Sequence, residues 1–168
     1  VLAVASVSTT ALTYVRPTPH VLLASLVIAW AFCLVSMLLC MRHVFARGRV
    51  TFNHLLGATC VYLLLGALWG LTYAMVHAVH PSAFRMGDGA RALDLDDCMY
   101  FSFVTLTTTG YGDIVPVARL VRTLAYLEGA AGQLYVAILV ATLVTRYVAP
   151  SEDVSASGPS RPAPPPPR

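Results

Sequence analysis

Long uncharged apolar runs alternate with short polar segments along this chain. Residues 21–41 and 55–76 contain no charged side chain, and residues 120–145 contain only Arg122 and Glu128. Each run matches the roughly 20 residues with which an α-helix crosses the hydrocarbon core of a bilayer. Residues 1–15 are also uncharged but shorter, and we interpret them as the end of a helix that begins before Val1. The pattern predicts an all-α, multi-pass membrane protein with four crossings.

The composition indicates that the protein lies in a lipid bilayer, and it argues against nucleic acid as a partner. Only 11% of the residues are charged, whereas soluble domains carry about 25%. All basic residues are arginines, and they are scattered along the chain, so no nucleic-acid partner is expected. Cys33, Cys40 and Cys60 lie in the apolar runs, and Cys98 is expected near the outer surface. The cysteine spacing indicates neither a disulfide framework nor a zinc site.

The distribution of arginines predicts the orientation. Residues 42–49 carry three arginines beside the end of an apolar run, which is typical of a cytoplasmic loop. Residues 16–20 and 77–95 are then outside, and both termini of this cell-membrane protein are cytoplasmic. Residues 149–168 are rich in proline and too polar to form a core, so they are expected to be a disordered tail. We divide the chain into N-terminal helices (1–54), a pore domain (55–148) and this tail (149–168).

The polar motif between the last two runs carries the chemistry. It consists of six consecutive residues: Thr108, Thr109, Gly110, Tyr111, Gly112 and Asp113. The motif resembles the selectivity-filter signature of potassium channels, commonly TVGYG followed by Asp. The apolar stretch 98–106 before it is too short to span, and it fits a re-entrant pore helix, which is allowed at membrane depth when buried in protein. The resemblance covers about residues 55–147, as a module of helix, pore helix, filter and helix.

The resemblance implies that K⁺ is the permeant ion and that no cofactor is needed. Rings of backbone carbonyls from four copies of the filter segment (residues 108–112) replace the hydration shell of the ion. Gly110 and Gly112 suit the left-handed backbone that such a loop needs, and the Thr108 hydroxyl can complete the lowest ring. Thr109 stands where Val is usual, so its hydroxyl needs a partner behind the filter. One filter per chain predicts a homotetramer.

The same resemblance assigns residues around the filter. Asp113 lies at the outer mouth, where four carboxylates attract cations. Tyr100 and Phe101 take the positions of an aromatic pair that packs as a cuff around the filter, and Tyr100 either hydrogen-bonds Asp113 or only packs. Val104 occupies the place of a Glu found in some bacterial members, so the carboxyl pair with Asp113 is absent.

The last apolar run is expected to be the inner, cavity-lining helix. Gly132 and Gly129 are either a hinge or sites of close helix packing. One face of the helix is expected to line the cavity: Gln133, Val136 or Ala137, Val140 and Val144. Glu128 is rotated away from that face, and we expect a structural hydrogen bond with Thr105 or Thr107 rather than an ion site.

The expected function is passive, K⁺-selective conduction and not catalysis, because no clustered catalytic set is found. No run carries arginines at every third position, so gating by a voltage sensor is not expected. His77 and His80 could sense pH, although exposed loop histidines are usually inert. The alternatives are a nonconducting regulatory subunit and a transporter-like protein.

Overall fold

The computed structural model describes residues 19–44, 52–87 and 93–148. The described elements are helices α1 (Pro19–Val44), α2 (Phe52–Val79), α3 (Leu95–Leu106) and α4 (Arg119–Val148), a 3₁₀ turn (Pro81–Ala83), and strands β1 (Phe84–Met86) and β2 (Ile114–Pro116). The expected helix 1–15 and the tail 149–168 lie outside the described residues, as does most of the arginine-rich loop 42–49.

The three long helices are the predicted membrane runs. Candidate spans cover Pro19–Arg42, Leu55–Val79 and Arg119–Thr145, which confirms the runs predicted at 21–41, 55–76 and 120–145. α1 packs along α2, where the Trp30 indole Nε1 donates to Thr72 Oγ1 at 3.1 Å. The predicted all-α, multi-pass fold is confirmed, with a two-stranded sheet added to it.

α3 is the short helix predicted before the filter, and it begins at Leu95 rather than at residue 98. Its first turn is closed by a capping box in which Asp94 Oδ1 accepts from the Asp97 amide and Asp97 Oδ2 accepts from the Asp94 amide, both at 2.9 Å. Asp96 and Asp97 also place negative charge in the first turn, where it complements the helix dipole. The polar capping residues explain why the helix starts before the apolar stretch does.

A small antiparallel sheet connects the segment before α3 to the segment after the filter. Phe84 pairs with Pro116, and Met86 pairs with Ile114. The Gly87 amide continues this connection by donating to the Asp113 carbonyl at 2.9 Å. The sequence did not predict these strands, since each has only three residues and lacks a clear alternation. The sheet holds the end of the filter segment against the outer loop.

The core lies between α2, α3, β1 and the start of α4, and aromatic rings fill it. Phe101 meets Tyr73 and Phe84 edge to face, with centroids 5.0 and 5.4 Å apart. Cys98 is buried in the same cluster, so its expected position near the outer surface of the membrane does not leave the thiol exposed. Burial, together with the neighbouring Asp97 and Asp94 carboxylates, raises the pKa of the Cys98 thiol to about 12. Cys98 therefore remains protonated and poorly reactive at neutral pH.

Glycines allow α2 and α4 to approach α3 closely. A Cβ on Gly70 would lie 2.5 Å from Met99 Sδ, and one on Gly132 would lie 2.5 Å from the Leu106 carbonyl oxygen. α4 runs through Gly132 as one continuous helix. Close packing, one of the two roles considered for Gly132, is therefore what its surroundings require.

We predict that Gly132→Ala lowers the thermal unfolding midpoint of the detergent-solubilised protein, whereas Gly129→Ala does not. The added methyl at Gly132 meets a backbone carbonyl that cannot move aside, and overpacking of this kind costs about 1–3 kcal/mol. At Gly129 the new Cβ would be 3.7 Å from the Thr105 carbonyl, an ordinary contact, and Ala is the better helix former. Equal midpoints for the two variants would contradict a packing role.

Candidate functional site

The backbone of the filter segment alternates between two conformations. Thr108, Gly110 and Gly112 have positive φ values of 58°, 59° and 79°. Apart from the adjoining residues, nothing in the described part of the chain lies within 4 Å of a Cβ built on either glycine, so the backbone conformation, rather than lack of space, favours glycine there. The sequence indicated Gly110 and Gly112 but not Thr108, because a β-branched residue rarely adopts this region.

The first three amides of the filter segment form hydrogen bonds with carbonyls in the last turn of α3. The Thr109 and Gly110 amides both donate to the Val104 carbonyl, at 2.9 and 3.3 Å, and the Thr108 amide donates to Thr105 at 2.9 Å. In a trans peptide the carbonyl points opposite to the amide N–H. The Thr108 and Thr109 carbonyls therefore point away from α3 and toward the free side of the segment.

Thr109 stands where Val is usual, and its additional hydroxyl group has a hydrogen-bond partner. Its Oγ1 lies 2.8 Å from Thr107 Oγ1, and the Thr107 hydroxyl donates to the Phe103 carbonyl at 2.7 Å. Because the Thr107 proton is directed to Phe103, Thr109 is the donor in the hydroxyl pair. The two threonines form a short chain of hydrogen bonds that ends on α3.

Gln133 lies directly beside the inner end of the filter segment. Its Nε2 is 3.4 Å from Thr108 Oγ1, a long hydrogen bond. Val136, Val140 and Val144 follow at helical spacing and are exposed in the single chain. This contact places the Gln133 face of α4 next to the filter segment. Exposure alone does not separate a lipid-facing from a cavity-facing side chain, so the cavity-lining role of the valines stays a prediction.

At the opposite end, Tyr111, Tyr100 and Asp113 form an exposed polar and aromatic rim. The rings of Tyr100 and Tyr111 are parallel within 2°, with centroids 6.5 Å apart. A hydrogen bond with Asp113 is the main cause that raises the pKa of the Tyr100 phenol. Phe101 departs from the expected cuff, because it is buried in the core against Tyr73. Within the chain, Tyr100 alone of this pair stacks on the filter segment.

Glu128 is fully buried, at 0% exposure, between α2, α3 and α4. The Tyr73 hydroxyl donates to Oε2 at 2.6 Å, and Ser102 Oγ lies 2.5 Å from Oε1. The expected partner, Thr105 or Thr107, was wrong. Ser102 precedes Thr105 by one helical turn on the same side of α3, so the carboxyl group lies one turn closer to the start of α3 than expected.

The histidines considered as pH sensors differ in environment. His80 is exposed, while His77 packs edge-on against Phe84 with ring centroids 6.2 Å apart. Among the described residues, no group of three or more His, Cys, Asp or Glu is placed to hold a metal ion. A role in pH sensing stays a prediction.

We predict that Thr107→Val destabilises the protein more than Thr109→Val, and that the double variant recovers part of the loss. Thr107→Val leaves the Thr109 hydroxyl, which is exposed in the single chain, without its acceptor, and the loss of one hydrogen bond costs about 0.5–1.5 kcal/mol. Thr109→Val leaves no polar group unpaired, because Thr107 still donates to Phe103. The measurement is a double-mutant cycle on the free energy of unfolding. Strictly additive effects would show that the hydroxyl pair does not couple.

Comparison with known proteins agrees with this geometry. Residues 50–149 match a protein-family model described as "Ion channel". The chain is also similar to the inward rectifier potassium channel Kirbac3.1 of Paramagnetospirillum magnetotacticum, with 31% identity over 96 residues, which is 57% of this chain and 30% of that protein. The chain thus spans less than a third of the length of this relative.

The family match covers the two helices, the short helix and the segment between them, and it confirms the resemblance stated from the motif. The three candidate spans agree with a location in a membrane. Because the match extends over more than half of the sequence, this chain belongs to the ion channel family.

Proposed function

We propose that this protein is a K⁺-selective channel subunit that conducts K⁺ passively down its electrochemical gradient. The observation that carries the proposal is the backbone of the filter segment. The amides of Thr108, Thr109 and Gly110 donate to Val104 and Thr105, and φ is positive at every second residue: Thr108, Gly110 and Gly112. Carbonyls on the free side of the segment are then available to a dehydrated cation. The potassium channel named among its relatives supports the same ion.

Four copies of the chain would form the pore. A single filter segment supplies only one wall, and it leaves Tyr111 71% exposed. A ring of four such segments gives each site in the pore carbonyl ligands on all sides, which is how K⁺ is dehydrated in such filters. In this assembly the Asp113 carboxylates surround the outer mouth and raise the local cation concentration. The assembly needs no cofactor and no catalytic group.

Below the filter, the chain offers an environment for a waiting hydrated ion. α3 ends at Leu106, and only Thr107 separates it from the filter segment. The C-terminal end of a helix carries partial negative charge. Gln133 adds a polar amide at the same level, and the exposed valines of α4 leave the rest of the wall apolar. The proposed cavity therefore attracts a cation without binding it tightly.

The positions of the arginines support a proposal for the orientation of the chain and for its gating. The arginines of loop 42–49 favour cytoplasmic termini in the cell membrane. In the described spans the arginines stand at helix ends, and Arg122 is held there by donating to the Pro116 carbonyl at 3.1 Å. No series of charges in these spans is arranged to move across the field, so we propose gating that does not use a voltage sensor.

We predict that the purified protein in lipid bilayers passes current whose reversal potential follows the K⁺ gradient and not the Na⁺ gradient. Gly110→Ala should abolish selective current, because a Cβ penalises the positive φ at that position. The matched control is Gly87→Ala, which changes a glycine beside the Asp113 carbonyl where a Cβ would find ordinary space at 3.8 Å.

The Gly87→Ala channel should conduct like the wild type. A reversal potential indifferent to K⁺ would contradict the proposed selectivity. Normal selective current through Gly110→Ala would contradict the carbonyl-lined filter.

We also predict that Gln133→Cys reacts with a membrane-impermeant thiol reagent applied from the cytoplasmic side. The background must first lack the native cysteines: Cys33, Cys40, Cys60 and Cys98. The control is Leu134→Cys, whose position is 61% exposed in the chain but is rotated about 100° around α4, toward lipid or a neighbouring subunit. Modification is read as block of the current, and a quaternary ammonium blocker should slow it. Faster reaction at Leu134→Cys would mean that the pore-facing side of α4 is assigned wrongly.

A further inference from the structure

Glu128 joins three helices through a chain of short oxygen–oxygen contacts. Tyr73 from α2 donates to Oε2 at 2.6 Å. Ser102 from α3 lies 2.5 Å from Oε1 and 2.7 Å from the carbonyl oxygen of Gly66 on α2. All three distances are in the range of hydrogen bonds between oxygen atoms, so each contact needs a proton between its two oxygens.

The number of protons available for these three contacts determines whether the Glu128 carboxyl group is charged. The Tyr73 hydroxyl brings one proton and the Ser102 hydroxyl brings another, while the Gly66 carbonyl can only accept. Two protons cannot serve three contacts. If Glu128 were ionised, Ser102 could donate to only one neighbour, and the other pair of oxygens would face each other at hydrogen-bond distance without a proton. A proton on Oε1 completes the chain, in which Glu128 donates to Ser102 and Ser102 donates to Gly66.

The surroundings favour the same state. Glu128 and Ser102 are both 0% exposed, and within the described residues the partners of the carboxyl are two hydroxyl groups rather than a basic side chain. An ionised carboxylate without a counter-charge is costly in such a site, and the usual resolution is to become neutral. The count of protons in the hydrogen bonds and the burial of the carboxyl group therefore both indicate that Glu128 is neutral.

We propose that Glu128 is a neutral carboxylic acid whose proton fixes α3 against α2 and α4, and that it thereby positions the filter segment. The residue is a positioning residue, since it touches no permeant ion. Ser102 is one turn before Thr105 and two residues before Val104, whose carbonyls hold the amides of the filter segment. A shift of α3 at Ser102 is therefore passed on directly to the filter. This role rests on the proposed channel function, whereas the protonation state does not.

The protonation state is tested by infrared difference spectroscopy of the full chain, wild type minus Glu128→Gln. A neutral acid gives a carboxylic C=O stretching band that shifts on transfer to D₂O, and an ionised group gives carboxylate bands instead. Tyr73→Phe should move the acid band to higher frequency, because the carbonyl oxygen Oε2 loses its donor. Asp96→Asn, at an exposed acidic residue, is the control that should show carboxylate bands. Carboxylate bands from Glu128 would overturn the inference.

The positioning role is tested by current in bilayers. Gln reproduces the neutral acid, with its oxygen accepting from Tyr73 and its NH₂ donating to Ser102. Glu128→Gln should therefore keep K⁺ selectivity and leave the single-channel conductance unchanged within about twofold, since no charge near the pore is altered. Glu128→Ala and Ser102→Ala should lose open probability or selectivity. Equal loss in Glu128→Gln and Glu128→Ala would overturn the positioning role.

The two failures are distinguishable. A wild-type protein that passes no K⁺ current would contradict the proposed function, and the infrared bands would still decide the state of Glu128. A conducting wild type with carboxylate bands would leave the channel function standing and remove the inference.

Discussion

Hydrogen bonds from the amides of Thr108, Thr109 and Gly110 to the last turn of α3 set the conformation of the filter segment. When a carbonyl faces a cation, the amide N–H of the same peptide points the opposite way and needs an acceptor there. Val104 and Thr105 provide the acceptors, and the positive φ angles at alternate residues keep the free carbonyls on one side. The position of α3 therefore determines the geometry of the filter segment.

The other features of the fold hold α3 in place. The capping box fixes its beginning, and the β1–β2 pair anchors the residues that follow the filter. Gly132 brings α4 against the Leu106 carbonyl, and the Tyr62 hydroxyl donates to that same carbonyl at 3.3 Å. Glu128 adds the buried link between α2, α3 and α4. These contacts surround a short helix that could not be stable alone at membrane depth.

Much of this arrangement could be predicted from the sequence because its signals are strong and local. Uncharged runs located the three described spans, and the Gly-Tyr-Gly motif located the filter segment. The partners of Glu128 and the burial of Cys98 and Phe101 could not be predicted, since they depend on the height and rotation of α3 between two other helices. The three-residue strands were missed because strand pairing between distant short segments leaves no periodicity.

In the proposed channel the carbonyls of residues 108–111 face a common axis and coordinate K⁺ there. The most direct measurement is anomalous scattering from crystals of the assembled protein grown with Rb⁺ in place of K⁺. We expect a row of Rb⁺ peaks on a four-fold axis, each at coordination distance from carbonyl oxygens of Thr108, Thr109, Gly110 or Tyr111. Well-ordered crystals with no peak beside these carbonyls, or with the carbonyls turned away from the axis, would contradict it.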